Sequence, residues 1–220
     1  MNVDFHPIDR DNWNRNQYFY YFTKMFPTGY SLTVEVDITN TYHMVKRAGK
    51  KFFPAYLYLA SRLIAQQQEF RIAERDGLLG YYEVLHPSYA RFHEDDKTMS
   101  SMWTEYAADF VSFYNNYMED QNQYAGNHGI LAKTNIPDNN CMIGMLPWTQ
   151  FTSYTPISYG GGSGYFPVLQ AGKFFDKGHR KMMPLSITVH HAVADGYHVG
   201  LFLQKFQEGM LHPEEWIETE

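Results

Sequence analysis

The chain has 220 residues, 44% of them apolar, enough for a sizeable core in one domain spanning residues 1–220. Its net charge of −6 argues against nucleic acid as the main partner, and no apolar run approaches the roughly 20 residues that cross a membrane. The lone Cys141 excludes an intrachain disulfide framework and a cysteine-based zinc site; with no basic-then-apolar leader pattern, a cytoplasmic protein is expected.

In chain order, Trp13 to Met25 is predicted to be a helix crowded with aromatics, closed by Pro27-Thr28-Gly29. Ser31 to Ile38 alternates apolar and polar residues, as a half-buried strand does. Thr39-Asn40 caps a short helix, and a second helix runs from Pro54 to about Gln68 with proline in its first turn. Asp76-Gly77 is a hairpin turn between Arg71–Arg75 and Leu78–Val84. Strands are expected near Tyr89–His93 and Thr98–Trp103, then a helix over Ala107–Tyr124 and a loop-rich stretch to Asn140. Met142–Leu146 and Phe151–Tyr154 read as short strands, and Tyr159–Gly164 as a flexible loop that is no phosphate loop, because no Gly-Lys-Ser/Thr follows. Val168–Phe175 and Met182–His190 flank a turn at Asp176-Lys-Gly178. The fold class is α+β: a mixed β-sheet with helices packed on one face.

The chemistry concentrates in Pro184-Leu-Ser-Ile-Thr-Val-His190-His191-Ala-Val-Ala-Asp195-Gly196-Tyr-His198. An apolar strand ends in two histidines, and Val199, Phe202, Leu203 and Phe206 then recur at helical spacing. Neighbouring strand residues face opposite sides, so the two imidazoles need not share a task. Neutral imidazole is a competent base near pH 7, and Asp195 is placed to fix a local turn or to meet a distant arginine. His198, one helical turn on, reads as a helix-surface residue. No histidine has Cys, Asp or Glu companions at convincing ligand spacing, so no metal is expected.

His190-His191-Ala-Val-Ala-Asp195-Gly196-Tyr-His198-Val resembles the signature of chloramphenicol acetyltransferases, which usually carry Cys where Ala194 stands. The shorter His-His-x-x-x-Asp-Gly core is shared with other acyltransferases. Landmarks in order extend the resemblance over nearly all the chain: Asn12-Trp13-Asn14-Arg15, Lys51-Phe52-Phe53-Pro54, Glu69-Phe70-Arg71, Phe92-His93-Glu94, Trp103-Thr-Glu105, Pro147-Trp148-Thr-Gln-Phe151 and Gly172-Lys173-Phe174. No lipoyl-type domain or linker precedes the catalytic stretch, so a dihydrolipoamide acyltransferase subunit is not expected.

The resemblance implies a CoA-dependent O-acetyltransferase of the chloramphenicol acetyltransferase fold, with acetyl-CoA as co-substrate and a small hydroxyl compound, chloramphenicol by family, as acceptor. It implies His191 as general base, with Asp195 held by Arg15. It places Lys51, Phe53, Pro147, Trp148, Lys173 and Phe174 along the CoA channel. It places Phe22, Thr28, Tyr30, Ala90, Met99, Met142, Gly144, Pro156 and Gln170 around the acceptor and the oxyanion. It further implies a homotrimer with the active site between subunits; the aromatic surplus, 18 Tyr and 16 Phe, suits large contacts.

The chain departs from this pattern at Gly144, where the family has the serine that steadies the oxyanion, and at Gln170, where it has threonine. Losing an oxyanion donor costs about 10²–10³ in rate, so slow transfer to chloramphenicol is expected unless Gln170 donates an N–H instead. A different hydroxyl or amine acceptor, or a weak homologue that binds an aromatic ligand, stays open.

Overall fold

The computed structural model describes residues 4–157 and 165–217. The glycine-rich loop expected at Tyr159–Gly164 lies outside the described residues. Among the described residues, five α-helices and ten strands follow one another: β1 (Phe5–Pro7), α1 (Asn16–Tyr20), β2 (Gly29–Asp37), α2 (Thr39–Arg47), α3 (Phe52–Ala65), β3 (Ile72–Arg75), β4 (Leu78–Tyr82), β5 (His86–Phe92), β6 (Met99–Trp103), α4 (Phe110–Gln123), β7 (Asn140–Leu146), β8 (Val168–Gly172), β9 (Phe175–Lys177), β10 (Arg180–His190) and α5 (Gly196–Leu211). A small antiparallel sheet runs β1-β4-β3. The main sheet runs β2-β10-β8-β7-β5-β6, with β9 added against β10. The β5–β7 and β7–β8 pairs are parallel and the other pairs antiparallel, so the sheet is mixed.

Strand alternation gives the main sheet two unlike faces. Leu185, Ile187 and Val189 of β10, Leu169 and Ala171 of β8, and Ile143 of β7 are buried in the core with the helices. Helix α3 is buried along most of its length, because it lies between the sheet and helices α4 and α5. The opposite face carries Ser31, Ser186, Thr188, Gln170, Gly144, Met142, Ala90 and Met99. Met142 and Met99 there are 54% and 51% exposed. The protein is therefore α+β with helices on one face.

Three local expectations need correction. Phe151–Tyr154 forms no strand, since β8 pairs directly with β7 and β10 and offers no free edge. The segment crosses the helix-free face instead, where Ser186 Oγ donates to Tyr154 O at 2.7 Å. The predicted strand Val168–Phe175 breaks at Lys173-Phe174 into β8 and β9. The first helix starts at Asn16 rather than Trp13 and widens into a π-helical turn over Tyr21–Met25.

Candidate active site

Strand β10 stays in register with β2 as far as His190 opposite Gly29, and the His191 N–H donates to Thr28 O at 2.9 Å. The chain then turns: the N–H groups of Val193 and Ala194 donate back to His190 O at 3.1 and 3.3 Å. Asp195, in extended backbone, precedes the first residue of α5. Its own N–H donates to His198 Nδ1 at 3.0 Å. His198 is thus a helix-capping residue with its side chain only 17% exposed, not a surface residue. The Asp195-x-x-His198 arrangement is a capping box in which histidine takes the place of the usual Glu or Gln.

Arg15, at the entrance to α1, clamps the turn. Its two terminal nitrogens donate to Asp195 Oδ2 at 2.7 Å and Oδ1 at 2.9 Å, and Nη2 also reaches His191 O at 3.3 Å. The Arg15 hydrogen bonds, outweighing partial burial, hold the Asp195 carboxyl below the usual aspartate value. The two side chains are 13% and 39% exposed, so solvent screens part of the attraction. A double-mutant cycle of Arg15→Met and Asp195→Asn is expected to return a coupling of about 1–3 kcal/mol, the range for charged hydrogen bonds; additive effects in chemical denaturation would mean the pair contributes nothing. Because the folded pKa is depressed, this stability is complete above the ordinary value of about 3.9 and is lost as pH falls through the folded value.

The His191 imidazole lies flat on Phe22, ring centroids 4.0 Å apart at 7°, with the Tyr30 ring edge-on at 5.2 Å. Its Nδ1 is buried, and Asp195 Oδ1 stands 3.4 Å away. A nearby carboxylate favours the proton on Nδ1, which leaves Nε2 with the lone pair. The side chain is 31% exposed, so a substrate hydroxyl can reach it. Burial, with help from Asp195, pushes the Tyr30 hydroxyl up to about 12, which keeps it a neutral donor. That hydroxyl is buried and has no partner among the described residues. His190 is occupied elsewhere: Nδ1 accepts from the Ala192 N–H at 3.1 Å, its ring meets the face of Tyr165 edge-to-face at 5.0 Å, and burial lowers its pKa.

The other expected residues fall into two separate groups. Gly144 and Gln170 are register partners in β7 and β8, on the helix-free face with Met142, Ala90 and Met99. Pro156 lies half-buried in the segment beyond Tyr154. Gln170 is 7% exposed, and the amide orientation that satisfies its neighbours turns the carboxamide oxygen to the N–H groups of Met145 at 3.0 Å and Leu146 at 3.1 Å. In that orientation the amide nitrogen lies 2.6 Å from where a Cβ on residue 144 would stand. Glycine at 144 and glutamine at 170 are therefore complementary: the amide fills the space that a larger residue at 144 would need. A serine Cβ at 144 would meet this amide at 2.6 Å, so the amide would have to move to admit it.

The expected CoA residues meet at one end of the sheet. Pro147 and Trp148 follow β7, Lys173 and Phe174 follow β8, and Lys51 precedes α3. The Lys173 N–H donates to Thr149 O at 2.8 Å, and the Phe174 ring packs edge-on against Phe52 at 4.8 Å. Trp148 is 53% exposed and rests on Phe92. Lys51 and Lys173 are exposed and form no ion pair among the described residues. Phe53 instead turns into an aromatic cluster with Tyr89 and Tyr117 at 5.5 and 6.1 Å.

Register separates these groups from His191. Gln170 lies opposite Ser186, four residues before His190, so about 14 Å of strand at about 3.4 Å per residue lies between them. Lys173 and Trp148 lie beyond Gln170 at the far end.

The family model described as chloramphenicol acetyltransferase matches residues 3–207. A chloramphenicol acetyltransferase of Staphylococcus aureus is 39% identical over 217 residues, covering 98% of this chain and all of that one. One from Clostridioides difficile is 40% identical over 205 residues, covering 93% of this chain and 95% of its own. Among solved structures, a chloramphenicol acetyltransferase superposes with a TM-score of 0.81 at 24% identity, over 94% of this chain and all of that one. A dihydrolipoamide acetyltransferase of Azotobacter vinelandii gives 0.66 at 16% identity, over 85% of this chain and 83% of that one. At those identities the two structures show a common fold.

Proposed function

This chain belongs to the chloramphenicol acetyltransferase family and is an acetyltransferase, and from that premise we propose that it moves an acetyl group from acetyl-CoA to a hydroxyl of chloramphenicol, with His191 as general base. The observation that carries the reading is the His191 ring, stacked on Phe22 with Nδ1 turned to Asp195 and Nε2 left to the substrate. Nε2 takes the hydroxyl proton as the oxygen attacks the thioester carbonyl. The tetrahedral intermediate collapses, the C–S bond breaks, and the imidazolium proton goes to the CoA thiolate, leaving ester and free CoA. Arg15 and Asp195 hold the turn and take no proton.

The oxyanion is assigned to the Gln170 amide, whose oxygen is anchored by two backbone N–H groups so that its nitrogen stays in place over Gly144. Since about 14 Å of sheet separates Gln170 from the His190–His191 end of the same chain, the base of one copy acts on an acyl carbon held by the next. A homotrimer with its sites between subunits meets that need. Lys51 and Lys173 face the CoA phosphates, and Trp148 and Phe174 the nucleotide and pantetheine. The described helices include none long and apolar enough to cross a membrane; the cytoplasm is the compartment this reading proposes, because acetyl-CoA is available there. There, acetylation of chloramphenicol confers resistance.

Free-CoA release is the test, measured with acetyl-CoA and chloramphenicol, then with a panel of other hydroxyl and amine compounds. Release dependent on chloramphenicol is expected. Release only with another acceptor would move the assignment to that compound, and none above background hydrolysis with any acceptor would overturn the reading.

A further inference from the structure

The β5–β6 hairpin tip and the loop after α4 bring together His93, Asp95 and His128, with one ligand atom from each within 4.8 Å of the others. Separation in sequence hid this group, since His128 stands 35 residues beyond His93. The hydrogen bonds around it fix which nitrogens are free. Ser100 Oγ spends its single hydrogen on Gly129 O at 2.5 Å. Its 2.7 Å contact with His93 Nε2 must then be donated by the histidine. His93 thus carries its proton on Nε2 and its lone pair on Nδ1.

At His128, Nδ1 faces Asp96 Oδ2 at 3.1 Å. Asp96 is held in turn by the Thr98 N–H and hydroxyl, at 2.9 and 2.7 Å. In the neutral imidazole, a carboxylate so anchored accepts the Nδ1 proton and leaves the lone pair on Nε2. That nitrogen points at Asp95 Oδ2, 3.5 Å away. A lone pair facing a carboxylate with nothing between them is repulsive, and either a proton or a metal cation relieves it.

We propose that His93, Asp95 and His128 bind a divalent transition-metal ion, such as Zn²⁺, with Asp96 and Ser100 orienting the two imidazoles and water completing the shell. Four-coordinate zinc, with bonds of about 2.0–2.2 Å, holds neighbouring ligand atoms about 3.4 Å apart, which the His128–Asp95 separation of 3.5 Å matches. The His93 ring stacks on His128 at 4.1 Å, and the three ligand atoms, within 4.8 Å of one another, need only a small inward shift of the side chains to reach one ion. A nitrogen-rich set selects zinc, cobalt or nickel over magnesium and calcium. Each imidazole with its outer nitrogen held by an oxygen acceptor is the arrangement found around metal-bound histidines. The ion would tie the hairpin that carries Ala90 and Met99 to the loop after α4.

The test takes full-length protein stripped with chelator and titrates it with Zn²⁺ by calorimetry and with Co²⁺ by visible absorption. One ion per chain at micromolar affinity, with the Co²⁺ bands of a four-coordinate site, is expected. His128→Gln and Asp95→Asn, both at exposed positions, should abolish it, and Ser100→Ala should weaken it about 10–100-fold. Binding unchanged in His128→Gln and Asp95→Asn would overturn the proposal. So would an NMR titration showing His128 protonated on both nitrogens at neutral pH and indifferent to Zn²⁺, because it would then be an imidazolium between two carboxylates.

Discussion

His191→Ala is expected to lower kcat for acetyl transfer by about 10²–10⁴, the contribution of a well-placed general base, while acetyl-CoA still binds. The two effects separate because the proposed CoA strip at Trp148 and Lys173 lies at the far end of the sheet from the His191 turn. The fold should survive, since the side chain is 31% exposed and the turn is held by backbone bonds to Thr28 and His190. His190→Ala is expected to act in the opposite sense. It removes the acceptor for the Ala192 N–H and the contact with Tyr165, and so costs stability more than turnover. Steady-state kinetics on the folded fraction of each variant, with acetyl-CoA affinity measured separately, decide the matter. A larger loss of kcat in His190→Ala would reassign the base.

Gln170→Thr alone is expected to cost about 10²–10³ in kcat, because it withdraws the amide proposed to stand in for an oxyanion donor. Gly144→Ser alone should also lower activity. Its Cβ would stand 2.6 Å from the Gln170 amide and push that amide out of position. Together, Gly144→Ser and Gln170→Thr restore the residue types that the family carries, and the double variant is expected to recover most of the loss. Two harmful changes that mend each other are the signature of one shared space. The measurement is kcat and KM for all four proteins with a common acceptor. Full kcat in Gln170→Thr alone would mean that another group holds the oxyanion.

Much of the fold was legible because the signals were local. The Asp76-Gly77 hairpin, the alternation of β2, and the apolar run of β10 each state their structure within a few residues. Phe151–Tyr154 has the composition of a strand, but whether it pairs depends on a free edge, and the β10-β8-β7 order leaves none. In the site, the histidine turn and its distant arginine were readable by resemblance. The Gln170 amide over Gly144 was not, since it depends on which way a buried side chain rotates. The capping role of His198 was masked because histidine takes the place of the usual Glu or Gln, and the His93–His128 stack joins two loops with no common pattern.

The Arg15–Asp195 clamp also fixes a timetable. Its partners lie 180 residues apart, so at a synthesis rate of about 5–20 residues per second the arginine waits about 9–36 s on the ribosome for its aspartate. Strand β10, which sits between β2 and β8 in the main sheet, is the last strand of that sheet to be made. Until it emerges, β2 has no neighbour in that sheet, and the apolar sides of β2 and β8 lack the strand that joins them. The nascent chain thus carries unpaired strand edges through most of its translation, a state open to misassociation with other chains.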